Sequence, residues 1–122
     1  MKVLVVDGSP AVRRIVRILF EDDTAFEVCG DAENGREGIE KAQELRPDLI
    51  VMDLLMPVMN GMDATRAIRH IMPSVPIVLL SGHSDLLTLN EARSVGISVV
   101  LSKTDMSMLV EAAREVLRQN AA

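Results

Sequence analysis

The chain has a single cysteine, Cys29, so no internal disulfide can form. Its apolar runs fall far short of the roughly 20 residues that a membrane span needs. It lacks a basic-then-apolar leader, which makes the cytoplasm the default expectation. No glycine-rich loop opens the first helical segment, where Gly8 stands alone, so a nucleotide cofactor has no support. The two histidines, His70 and His83, are not spaced as a metal pair, and no Ser-His-Asp arrangement is supported by spacing. Basic residues are the minority: 13 Lys and Arg against 18 Asp and Glu give a formal charge of -5, which argues against direct binding to nucleic acid and favours solubility. No repeat, low-complexity tract or interdomain linker interrupts the chain. A length of 122 residues, 48% of them hydrophobic, predicts one domain over residues 1–122 with a real core.

What is present is an alternation of short apolar runs with helix-length segments of 3.6 periodicity. That pattern predicts an α/β fold whose parallel sheet is covered on both faces. The predicted strands are Lys2 to Val6, Glu27 to Asp31, Asp48 to Met52, Pro76 to Leu80 and Ile97 to Leu101. The predicted helices are Pro10 to Glu21, Gly35 to Leu45, Gly61 to Ile71, Leu86 to Val95 and Met106 to Arg118, with Gln119 to Ala122 as a frayed end. Ser9-Pro10 supplies an N-cap followed by proline at the first helical position, and Pro47 and Pro73 stop helices. Helix one carries Val12, Ile15, Val16, Leu19 and Phe20 on a face expected to pack on the sheet, with Arg13, Arg14 and Arg17 as a solvated rim.

Four apolar runs lead to residues able to handle a phosphoryl group. Val3 to Val6 runs into Asp7, Leu49 to Met52 into Asp53, Ile77 to Leu80 into Ser81, and Val99 to Leu101 reaches Lys103 after one residue. In parallel strands these side chains meet at one sheet edge, and open α/β sheets bind ligands outside the carboxyl ends of their strands. Two acids, a hydroxyl and an ammonium gathered there suggest phosphorylation of an aspartate.

The order of an acid after strand one, Asp53 followed by Met56-Pro57 and Gly61, Ser81-Gly82, and then Lys103 resembles the receiver domain of bacterial response regulators. The stretch from Pro47 to Gly61 carries the most specific spacing. The resemblance implies a flavodoxin-like three-layer (βα)5 sandwich with parallel strand order 2-1-3-4-5. It implies a signalling domain, not an enzyme, with Asp53 as phosphoacceptor and a histidine kinase or phosphotransfer protein as donor. Lys103 would pair with the phosphoryl oxygens and Ser81 would donate a hydrogen bond to one of them. Asp7, Asp53 and the backbone carbonyl of Leu55 would hold Mg²⁺.

Three positions depart from the family pattern. Gly8 replaces the second acid after strand one, which predicts weakened Mg²⁺ binding and opens an alternative reading as a phosphorylation-independent pseudo-receiver. Val100 stands where an aromatic switch residue is common. Thr104 replaces the proline that usually follows the lysine, so Lys103 must be aimed another way. Leu55 and His83 occupy positions that in the family border the path of the water that hydrolyses the phosphoaspartate, and an apolar Leu55 predicts a long-lived phosphorylated state. A third class, a small phosphatase using Asp53 as a transient nucleophile, lacks a second catalytic acid.

Surplus apolar residues mark further surfaces. Met106, Met108 and Val110 cannot all face inward from one helix, and Leu86, Leu87 and Leu89 pose the same excess. The resemblance implies that the face made by helix four, strand five and helix five serves dimerisation or partner binding, and the surplus apolar residues there fit a contact for an output partner or a homodimer. For Arg13, Arg14 and Arg17, kinase docking on helix one is the alternative to a solvated rim. Cys29 reads as a small buried hydrophobe, and His70 as a partner of its helix dipole.

Overall fold

The computed structural model describes residues 1–82 and 89–121. Five parallel strands form one sheet in the order β2-β1-β3-β4-β5, as anticipated. In chain order the elements are β1 (Lys2–Val6), α1 (Pro10–Glu21), β2 (Glu27–Ala32), α2 (Gly35–Leu45), β3 (Leu49–Asp53), α3 (Gly61–Ile71), β4 (Ile77–Ser81), α4 (Leu89–Ser94), β5 (Val99–Ser102) and α5 (Leu109–Ala121). A 3₁₀ turn over Lys103–Met108 joins β5 to α5. No helix among the described residues is long and apolar enough to cross a membrane.

The near-continuous apolar runs are explained by burial on both sheet faces. Because successive side chains of a strand point to opposite faces, each central strand feeds two cores. Leu4, Val6, Ile50, Met52, Ile77 and Leu79 pack with Ala42 of α2, Ala64 and Ile68 of α3, and Ala92 of α4. Val3, Val5, Leu49, Val51, Val78 and Leu80 pack with Val16 and Phe20 of α1 and Leu109 and Ala113 of α5. The only two aromatic residues, Phe20 and Phe26, meet edge to face in this second core with centroids 5.0 Å apart.

Several expectations are corrected. β5 begins at Val99 and not at Ile97, because Ile97 is buried in the turn after α4 and its N–H bonds to Ala92. α5 begins at Leu109 and not at Met106, since Ser102 caps a tighter 3₁₀ turn first; within that turn Met106 packs inward while Met108 is exposed. The carboxyl end continues as helix to Ala121 and is not frayed from Gln119, and Asn120 ties it down by donating to the Ser74 carbonyl. Ile15 is 47% exposed, because the buried face of α1 runs through Val16 and Phe20. Cys29 is only half-buried: the β1–β2 register jumps from Val3 opposite Val28 to Leu4 opposite Gly30, and Cys29 occupies the bulge. Its thiol donates to the Val3 carbonyl, and burial pushes its pKa up, so it is not an activated nucleophile. His70 does lie in the last turn of α3. Residues 86–88 of the predicted fourth helix, with the side chain of Leu89, lie outside the described residues.

The register brings the chemistry-bearing strand ends level. Val6 pairs with Met52, Asp53 with Leu80, and Ser81 with Ser102. The loop from β3 to α3 turns tightly over Asp53. Gly61 donates to the Leu54 carbonyl at 2.8 Å, and a Cβ at Gly61 would lie 2.2 Å from the Asp53 carbonyl oxygen, so only glycine fits. Asn60 caps α3 by accepting from the Asp63 N–H. Val58 carries a φ of +69° under a Met59 N–H to Pro57 carbonyl bond of 2.7 Å, and the loop is pinned where Gly35 donates to Met59. A β-branched residue in the left-handed region is strained. Since Val58 is 75% exposed, relief of that strain should not disturb packing. Val58→Asn is expected to raise the urea midpoint by about 1 kcal/mol of stability at unchanged slope. A lowered midpoint would show that the valine side chain contributes more than its backbone costs.

Candidate functional site

Asp7, Asp53 and Lys103 converge at the carboxyl edge of the sheet. Asp7 follows β1, where its N–H bonds to the Ala32 carbonyl at 3.0 Å. Its side chain is 1% exposed; one oxygen, Oδ1, accepts from the Ser9 N–H at 2.8 Å. The other, Oδ2, is buried with no hydrogen bond and faces Lys103 Nζ at 3.2 Å as an ion pair. Asp53 ends β3, is 4% exposed, places Oδ1 3.0 Å from the same ammonium, and receives the Leu55 N–H on its carboxylate. Lys103 thus stands between both acids.

Thr104 answers how Lys103 is aimed without a following proline. The Ser102 hydroxyl accepts from the Thr104 N–H at 3.2 Å and shares a 2.8 Å hydrogen bond with the Thr104 hydroxyl, which folds the chain into the 3₁₀ turn directly after β5. Ser81 ends β4 half-buried, one step beyond the residue paired with Asp53. His83 lies outside the described residues. Leu55 is 63% exposed beside Asp53, an open apolar group at the mouth of the site. Val100 packs partly buried against the α2–α3–α4 core, next to a cavity of about 220 Å³ lined also by Ala92, Ile97 and Val99.

Arg13 is a correction to the solvated-rim reading. Its side chain is 17% exposed, and Nη1 donates to the Asp7 carbonyl at 2.7 Å. The available signal was its position one turn into a helix whose N-cap follows the site acid, which lets a long side chain reach back to the strand end. Arg17, by contrast, does lie at the rim, paired with Glu21 and Asp31.

Two buried carboxylates share one ammonium, which sets the electrostatics. Burial pushes the Asp53 carboxyl above its ordinary value; the Lys103 hydrogen bond opposes this, the Asp7 charge adds to it, and the net direction is up. Burial alone would lower Lys103, but its hydrogen bond to Asp53 and the Asp7 charge outweigh that and hold it above the usual lysine range as an ammonium. Among the described residues no three His, Cys, Asp or Glu side chains converge. The two carboxylates at this edge that could hold a cation are Asp7 and Asp53. Asp7 Oδ2, buried with no partner but the Lys103 ammonium, is the kind of oxygen a hard cation takes, and Mg²⁺ is commonly held by one or two carboxylates with waters, so these carboxylates fit a Mg²⁺ ion. A Cβ at Gly8 would meet only Pro57 Cδ at 3.6 Å and the Glu33 carbonyl at 3.7 Å, so crowding does not account for the missing third acid.

The raised Asp53 value fixes the sign of a pH effect. A carboxyl whose folded value lies above its unfolded value of about 3.9 stabilises the fold below that value and loses this as pH rises through the folded value. Asp53→Asn, which cannot ionise, should match wild type at the acid end and become the more stable protein as pH rises toward 7, in urea melts across that range. A constant difference at every pH would overturn the assignment.

The family described as response regulator receiver domain matches residues 3–114. The chain is 43% identical over 118 residues to protein-glutamate methylesterase/protein-glutamine glutaminase 3 of Paramagnetospirillum magneticum, covering 95% of this chain but only 31% of that protein. It is 36% identical over 116 residues to chemotaxis protein CheY of Thermotoga maritima, covering 94% of this chain and 96% of that one. Among solved structures, the response regulator domain of Thermotoga maritima CheB superposes with a TM-score of 0.85 at 29% identity, covering 98% of this chain and 95% of that chain. The fold, the residues at its sheet edge and these matches agree, and the chain belongs to the response regulator receiver domain family of two-component signalling.

Proposed function

We propose that residues 1–122 act as one receiver domain that accepts a phosphoryl group on Asp53 from a histidine kinase or phosphotransfer protein and signals through altered protein binding. The observation that carries this is Lys103 Nζ at 3.0 Å from Asp53 and 3.2 Å from Asp7. An Asp53 carboxylate oxygen attacks the donor phosphorus in line; the new P–O bond forms as the P–N bond to the donor imidazole breaks, and the electron pair stays on that nitrogen. Lys103 remains protonated and pairs with the phosphoryl oxygens, and the Ser81 hydroxyl donates to one of them. Asp7, Asp53 and the Leu55 carbonyl would hold Mg²⁺, which neutralises phosphoryl charge when bound. The phosphoryl group adds negative charge and acceptor oxygens at the sheet edge, shifting an existing equilibrium toward the partner-binding state.

Donor docking fits α1, where Ile15 and Ile18 are exposed beside Arg14 and Arg17 near the site. Output or homodimer contact fits the α4–β5–α5 face, with Met108 57% exposed in the turn that leads into α5. With an overall charge of -5, this is a signalling domain that acts on proteins and not on nucleic acid. Gly8 favours a second reading, a pseudo-receiver that binds partners without phosphorylation.

Intact-protein mass after incubation with acetyl phosphate distinguishes the two. A Mg²⁺-dependent gain of one phosphoryl group that is lost in Asp53→Asn is expected, and Gly8→Asp should lower the Mg²⁺ concentration required by roughly tenfold, since ligand charge tunes cation affinity. No phosphorylation of wild type but recovery in Gly8→Asp would establish the pseudo-receiver. Leu55→Asn, which replaces an apolar group by one able to hold water, should shorten the phosphorylated half-life; an unchanged decay rate would remove Leu55 from control of hydrolysis.

A further inference from the structure

Gly8 removes more than a carboxylate. It leaves the turn between β1 and α1 without a side chain to hold it, and glycine backbone is the least restrained of any residue. Yet the Asp7 carboxylate must keep one oxygen on Lys103. Two contacts bracket Gly8. The peptide after it is held by the Ser9 N–H on Asp7 Oδ1 at 2.8 Å. The peptide before it is held through its carbonyl, that of Asp7, by Arg13 Nη1 at 2.7 Å. Arg13 is itself anchored: its backbone N–H bonds to the Ser9 carbonyl at 3.0 Å, and its Nε lies 3.8 Å from Asp31 Oδ2 on β2.

We infer that Arg13 is a positioning residue of the phosphoacceptor site, fixing the Asp7–Gly8 peptide so that the Asp7 carboxylate keeps the orientation a divalent cation needs. This rests on the proposed phosphoacceptor reading and extends it to a residue that touches neither phosphoryl group nor cation. Groups that orient a cation's ligands commonly matter nearly as much as the ligands. The guanidinium spans helix, strand end and neighbouring strand, so a shift of α1 is transmitted to Asp7.

Charge and positioning predict opposite signs. If Arg13 acted only as a nearby positive charge, its removal would strengthen cation binding to the two carboxylates; if it holds the Asp7 peptide, removal weakens binding. The test is Mn²⁺ binding to the full chain, read as free Mn²⁺ by electron paramagnetic resonance, for wild type, Arg13→Gln, Arg13→Lys and Arg17→Gln, each checked for folding by circular dichroism. Arg13→Gln is expected to bind about tenfold more weakly. Arg13→Lys, which keeps a donor and the charge, should recover much of the loss, and Arg17→Gln, which loses a charge near Asp31 without touching the Asp7 carbonyl, should not weaken binding. Equal or tighter binding by Arg13→Gln overturns the inference, and so does a wild type that binds no Mn²⁺. Acetyl phosphate treatment of the same wild-type preparation keeps the two readings apart, because absence of phosphorylation at Asp53 is what overturns the proposed function.

Discussion

One ammonium between two buried carboxylates is the constraint around which this molecule is arranged. Asp7 and Asp53 are almost fully buried at the ends of adjacent strands, where two unpaired negative charges would oppose the fold. Lys103 compensates both from the first residue of the turn after β5. The arrangement leaves one net negative charge, and the raised Asp53 carboxyl shows that burial and the neighbouring acid are not fully offset.

Holding those three groups requires the sheet register and two short turns. Parallel pairing brings Met52 beside Val6 and Leu80 beside Asp53, so the strand ends cannot drift independently. Gly61 lets the following loop pass over the Asp53 carbonyl, while Val58 accepts a left-handed backbone. Ser102 and Thr104 turn the chain after β5 with a pair of hydroxyls. One strained residue, Val58, thus lies at the edge that carries the chemistry, over a core that fills both faces of the sheet.

Two of the departures from the family pattern, Gly8 and Val100, have a common physical character, since each removes bulk or charge without disturbing the fold. Gly8 leaves room that a side chain could occupy, and Val100 stands beside a cavity. The fold tolerates these losses because neither residue is needed to fill the central strands, whose packing rests on β1, β3 and β4.

Much of the architecture was legible in the residues themselves. Short apolar runs between 3.6-periodic segments force a covered parallel sheet, and α1, α2 and α3 have the predicted bounds because Ser9, Asn34 and Asn60 cap them locally. The convergence of Asp7, Asp53 and Lys103 followed from their places at strand ends, which parallel geometry aligns. What depended on nonlocal packing was not legible: the bulge that half-exposes Cys29, the outward turn of Ile15, the delayed start of β5, and the reach of Arg13 back to Asp7. Periodicity records which residues are apolar and how they repeat along one element. Which side of a helix meets the sheet, and which carbonyl a long side chain can reach, are decided only when separate elements come into contact.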